Sequence, residues 1–142
     1  MGLLSLRLAK VDDILDIIRL YKELHAASAY AGLIPFDVAD ASNVVLKTIE
    51  GDQNNGAVIL LLEDDNPVGV LHCSAMPHLF NRSEKTAIEI AFWVTPERRS
   101  AAGLRKLLGA YRYWAKQTGC NTILTGRLRD KSVETYSIRK LL

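Results

Sequence analysis

Ile88-Glu89-Ile90-Ala91-Phe92-Trp93-Val94-Thr95-Pro96-Glu97-Arg98-Arg99-Ser100-Ala101-Ala102-Gly103-Leu104-Arg105-Lys106-Leu107-Leu108 is an apolar run with one carboxylate, followed by a turn, two arginines and a helix start built of small residues. This is a strand feeding a helix whose N-terminus suits an anion. Amides at a helix start carry the positive end of the dipole, and small residues let a pyrophosphate reach the backbone. A phosphorylated cofactor is therefore the first functional expectation. Leu104, Leu107, Leu108, Tyr111, Trp114 and Ala115 continue the helix at helical spacing until Gly119 stops it. Residues 121–125 form a short apolar strand, expected to lie parallel to the strand at 86–95 with the helix as crossover. Ligands of such units sit beyond the carboxyl end of the strand.

Upstream, the apolar runs at 57–63 and 68–75 flank Asp64-Asp65-Asn66-Pro67 and read as a β-hairpin, with a polar loop at 80–85 before the next strand. Leu4 to Leu8 alternates as a strand, and Asp12 is placed to cap a helix with Ile14, Leu15, Ile18, Tyr21 and Leu24 on one face. Gly32 and Pro35 interrupt residues 29–36, after which Asp37 starts a second helix through Val38, Ala41, Val45 and Ile49, ending near Gly51. Residues 132–142 read as a final helix. The expected order is β-α-α-β-β-β-α-β-α, one α/β domain over residues 1–142 with a mixed sheet.

A chain of 142 residues that is 49% hydrophobic can close a real core. Eighteen basic against sixteen acidic residues leave a net charge of +2, which calls for neither nucleic acid nor an anionic membrane as partner. Cys73 and Cys120 match no metal-ligand spacing and are expected as buried free thiols. His25, His72 and His78 form no metal pattern either, so no metal is expected, and His72 reads as packed in a strand. The absence of a membrane-length apolar run and of a leader-like start points to a cytoplasmic protein, and Leu6 at the sixth position argues against myristoylation. There is no Gly-x-Ser-x-Gly elbow and no Cys-His signature, so covalent catalysis has no motif behind it.

The order of elements, with Arg7-x-Ala9-x-x-x-Asp13 at the start and Val94-x-Pro96-x-x-Arg99 followed by Leu107-Leu108 in the centre, resembles the GCN5-related N-acetyltransferase (GNAT) family across almost the whole chain. The resemblance implies acetyl transfer from acetyl-CoA to an amine. It implies that the backbone of Arg99, Ser100, Ala101, Ala102, Gly103 and Leu104 cradles the pyrophosphate, that Arg98 or Arg99 adds charge, and that the strand edge at Trp93 and Val94 pairs with the pantetheine arm. Counting the family spacing from Arg99 places Ala102 and Leu104 at the two small positions, and counting from Arg98 places Ala101 and Gly103 there. Alanine admits a fairly close approach but resists positive φ.

Acetyl transfer to an amine needs a base, because an amine with a pKa near about 10.4 is protonated at neutral pH. Glu89 lies among apolar neighbours where desolvation raises a carboxyl pKa, and Ile88-Glu89-Ile90 matches the position of the base in the histone-acetylating branch of the family. Alternation with Ile88 and Ile90 equally allows Glu89 to face solvent. Tyr136 corresponds to the tyrosine that often protonates the departing thiolate, or else packs in an amphipathic helix. The Gly-Phe pair that follows this tyrosine in the family, and the last β-hairpin, are absent from the expected order. That hairpin's absence would expose a sheet edge, to be protected by another chain, by the C-terminal helix or by a shortened fold, with a homodimer partner as the working hypothesis. The acceptor, a small-molecule or protein amine, would meet residues 21–40, including Glu23, His25, Tyr30 and Asp37. A catalytically silent domain of the same fold that binds acyl-CoA or a protein partner is the alternative.

Overall fold

A computed structural model describes the backbone of residues 2–129 and 133–140 and the side chains of residues 2–125. Among these residues six strands form one sheet in the order β1-β2-β3-β4-β5-β6. The strands are β1 (Leu4–Leu8), β2 (Gly56–Glu63), β3 (Asn66–His78), β4 (Asn81–Val94), β5 (Thr122–Arg129) and β6 (Val133–Lys140), and the helices are α1 (Ile14–Ala27), α2 (Val38–Glu50) and α3 (Ala101–Gln117). Among the described residues only β4 and β5 pair in parallel.

β2 shows why the sheet has two covered faces. Its seven residues from Gly56 to Leu62 are all buried, as a strand packed on both sides must be. Val58, Leu60 and Leu62 meet Ile17 and Leu20 of α1, Val45 of α2 and Trp93 of β4. Ala57, Ile59 and Leu61 meet Leu107, Tyr111 and Trp114 of α3. Asp64 and Asp65 make the β2–β3 turn with φ of 50° and 67°, the left-handed conformations a two-residue hairpin requires.

Several expectations shift by one residue or one element. Asp13, not Asp12, secures the start of α1: it accepts from the Lys10 amide at 2.8 Å and from both terminal nitrogens of Arg7 at 2.7 and 2.9 Å. The Arg7 hydrogen bonds hold its carboxyl below the usual range, against the opposing effect of burial. Leu15 is 83% exposed, and Ile17 and Leu20 take its place in the core. Residues 81–85 are not a loop but the first part of β4, so β3 and β4 form a long arm whose tip, Leu79 and Phe80, is 80% and 88% exposed. The final segment is β6, antiparallel to β5, and not a helix. Val133, Thr135, Tyr136 and Ile138 give it the β-branched and aromatic content of a strand, which outweighs its superficial fit to a helix. The order is thus β-α-α-β-β-β-α-β-β, and β5 and β6 supply a hairpin at the end of the sheet where none was expected.

The two helices of one face are tied to the sheet by a buried polar relay. His72 on β3 is fully buried; its Nδ1 lies 2.6 Å from the Tyr21 hydroxyl and its Nε2 lies 2.8 Å from Thr48 Oγ1. The Thr48 hydroxyl donates to the Val44 carbonyl, so it accepts from His72 Nε2–H, and Nδ1 accepts from Tyr21. One neutral tautomer satisfies every group. Burial pushes the His72 pKa from 6.5 down to about 4. The unfolded chain therefore takes up a proton that the native state refuses, and stability falls as the pH drops from about 6.5 towards 4. Asp13 and Glu23, whose pKa values are lowered, lose their contribution only below the usual carboxylate range. Unfolding free energies from urea titrations between pH 7 and 4.5 should fall less steeply for His72→Gln than for the wild type, the difference reaching about 2–3 kcal/mol at the acid end.

Candidate functional site

β4 and β5 meet only at Thr86/Thr122 and Ala87/Ile123 and then part, although β4 runs on to Val94 and β5 to Arg129. Asn121 and Thr122 fasten the junction: the Asn121 amide donates to the Lys85 carbonyl, and the Thr86 and Thr122 hydroxyls lie 2.7 Å apart. Just beyond it the register slips at Ile90, which has no counterpart on β3 and is exposed. Such a bulge turns a strand away from its neighbour. Across the fork, the fully buried Tyr111 donates to the Leu124 carbonyl at 2.8 Å.

The bulge also decides where Glu89 stands. Glu89 sits opposite Cys73, one residue before the slip, half-buried on the α3 side of the sheet. Burial first, with the Glu89 charge among the lesser causes, raises the Cys73 pKa to about 12 and the Tyr111 pKa above its usual value. Cys73 is therefore a protonated thiol at neutral pH.

The open edge of β4 belongs to Phe92 and Val94. The Thr95 amide donates to the Val68 carbonyl, which makes Gly69 and Val94 a pair whose own polar groups point away from each other. Val94 was expected on this edge and is there. The backbone of Trp93 faces β3 instead, and its contribution is the ring: buried, it donates Nε1–H to Glu23 Oε1 at 2.9 Å.

The chain then bends through Thr95 and a 3-10 turn at Pro96–Arg98 into α3. Ser100 caps the helix, its hydroxyl oxygen accepting from the Gly103 amide at 3.0 Å and its carbonyl accepting from the Leu104 amide at 3.1 Å. The exposed Ala101 and Ala102 hold amides for which a helix has no internal acceptor, and no acidic residue lies in this first turn. Among the described residues positive φ occurs only at Asp64, Asp65 and Gly119. Nothing at Ala101 or Ala102 demands a glycine. Gly103 uses its small size inward, since a Cβ there would lie 3.0 Å from Leu61 Cδ2.

Neither arginine stands clear of the protein. Arg98, largely exposed, pairs with Glu63 at 3.2 Å. Arg99 donates Nε–H to the Val94 carbonyl at 2.8 Å and lays its guanidinium 4.5 Å from the centre of the Trp93 ring. A cavity of about 500 Å³ opens between Arg98, Ser100 and the β2–β3 turn, but Glu63, Asp64 and Glu97 line it and oppose a polyanion. The amides of the helix start are the donors left open to a ligand here, while both guanidinium groups are held by nearer partners.

On the opposite side of β4, His25 reaches the Ile34 carbonyl at 2.6 Å and Asp37 caps α2 by accepting from the Asp40 amide. Tyr30, Leu33 and Ile34 are exposed on the loop between α1 and α2. Tyr136 falls on β6 opposite Gly126, and its side chain lies outside the described residues.

The family model described as acetyltransferase (GNAT) family matches residues 15–138. No curated protein matches the sequence. Among solved structures, a GNAT family acetyltransferase from Staphylococcus aureus is 18% identical with a TM-score of 0.68, covering 94% of this chain and 92% of its own. A predicted acetyltransferase from Clostridium acetobutylicum, solved with acetyl-CoA, is 13% identical with a TM-score of 0.69 over 85% of this chain and 79% of its own. An aminoglycoside acetyltransferase from an uncultured soil metagenomic sample, in complex with sisomicin, is 17% identical with a TM-score of 0.63 over 84% and 74% of the two chains. At these identities the likeness is one of fold.

Ser100→Ala removes the cap of α3 and should lower stability in urea by about 1 kcal/mol. Gly103→Leu, which drives a side chain into Leu61, should cost more, about 1–3 kcal/mol.

Proposed function

Because the chain belongs to the GNAT acetyltransferase family, we propose that it transfers acetyl from acetyl-CoA to an amine by direct attack in a ternary complex. The observation that carries this reading is the fork: a strand that pairs with β5 at Thr86 and Ala87 and turns the outer edge of Phe92 and Val94 toward a capped helix start. The donor set fits a pantetheine pyrophosphate. The Ala101 and Ala102 amides would hold the phosphates, and the polar groups of Phe92 together with the Val94 amide would hold the arm, the Val94 carbonyl already being engaged by Arg99. Acetyl-CoA, when bound, supplies the activated acyl carbon as a thioester.

Glu89 then removes the proton that keeps the amine from attacking, directly or through water. Tyr136 is the proposed acid for the departing thiolate. The acceptor approaches from the α1–α2 loop, where Tyr30, Leu33 and Ile34 are exposed. The engagement of both Arg98 and Arg99 favours a second reading, a silent domain that binds acyl-CoA or a protein partner without turnover.

Titration calorimetry with acetyl-CoA and a thiol-release assay over a panel of amines separate the two. Glu89→Gln should reduce kcat about a hundredfold or more while leaving the acetyl-CoA Kd within about twofold. Equal kcat for both proteins removes Glu89 from the mechanism, and tight binding with no thiol released by any amine favours the silent domain.

A further inference from the structure

Glu23 sits on α1, away from the fork, yet its carboxylate is committed to the end of β4. Oε1 accepts both from Trp93 Nε1 and from the Thr95 hydroxyl, each at 2.9 Å, and Oε2 pairs with Arg19 at 3.3 Å. Arg19 in turn donates to the Pro67 carbonyl at 2.9 Å, anchoring α1 beside the β2–β3 turn. The two groups that Glu23 holds are those from which the helix approach is built. The Thr95 carbonyl accepts from the Arg98 amide at 2.8 Å, opening the 3-10 turn, and the Trp93 ring carries the Arg99 guanidinium. Arg99 closes the loop on the Val94 carbonyl, one residue from where it began. Hydrogen bonds from Trp93 and Thr95, working against burial, keep the Glu23 carboxyl below its usual pKa, so it is charged at neutral pH.

We propose that Glu23 is a positioning residue for the cofactor: through Trp93 and Thr95 it fixes Arg99 and the first turn of α3, and so couples helix α1 on the acceptor side to the phosphate cradle. This rests on the acetyl-CoA reading above. The coupling runs in both directions, so whatever displaces α1 loosens the cradle, and an occupied cradle stiffens α1.

The chain has two tryptophans, so Trp114→Phe leaves Trp93 as the sole emitter. In that background Glu23→Leu should weaken acetyl-CoA binding about tenfold, shift the Trp93 emission and speed hydrogen exchange over residues 97–104. Glu23→Gln, which keeps an oxygen acceptor for both donors, should restore all three to within about threefold of the parent. Trp93→Phe deletes the donor but keeps a ring under Arg99; it should speed the same exchange and takes over the test if Glu23→Leu does not fold. Unchanged exchange over residues 97–104 in a folded Glu23→Leu or Trp93→Phe protein overturns the proposal, as does a Glu23→Gln protein as loose as Glu23→Leu. Should the parent bind no acetyl-CoA, the functional reading fails, and the coupling is still decided by exchange and emission.

Discussion

A parallel strand pair that stops after two residues on each side is the constraint on which the rest of this site depends. At Phe92 and the Val94 amide the outer edge of β4 keeps polar groups that a continuous sheet would have consumed, and such groups must find water or a ligand. Three features hold the fork open. The bulge at Ile90 turns β4, Tyr111 takes the Leu124 carbonyl on the far strand, and α3 is seated on Leu61 through Gly103. Were the two strands to zip together, the edge would vanish and the start of α3 would have no slot beside it.

Electrostatics follows from that geometry. The arginines attract attention in the sequence because they flank a helix start, yet each is drawn to a nearer partner: a carboxylate on β2 for Arg98, a ring and a carbonyl on β4 for Arg99. A guanidinium stacked on an indole keeps its charge, and the contact adds about 0.5–1 kcal/mol at an exposed site. Arg99 thus acts as a brace while still contributing positive potential near the amides. The neighbouring cavity sets Glu63, Asp64 and Glu97 against Arg98 and Arg99, so its charges largely offset one another.

Local signals made much of this legible. The hairpin at Asp64-Asp65, the Asp37 and Gly51 boundaries of α2, and α3 with its Gly119 stop all follow from turn chemistry, caps and periodicity over a few residues. The apolar run of β2 marks one arm of that hairpin. What stayed hidden depends on long-range pairing. A bulge leaves no mark in the alternation Ile88-Glu89-Ile90-Ala91, and nothing local tells that Trp93 will meet a carboxylate 70 residues earlier. The last segment, which reads as a helix, is the strand β6, and its register against β5 is decided by the sheet rather than by residues 133–140 alone. Spacing likewise reveals small size but not φ, and the helix from Ala101 onward needs no positive φ that alanine would resist.

The Tyr21–His72–Thr48 relay also bears on how such a sequence can change over time. Each member satisfies a neighbour, so replacing any one by an apolar residue strands a buried polar atom on another, at a cost of about 1–3 kcal/mol. Replacing all three together by apolar residues of matching volume leaves nothing unsatisfied. Homologous chains should therefore carry this trio whole or lack it whole, since the intermediate sequences between those two states sit in a valley that a marginally stable domain crosses with difficulty.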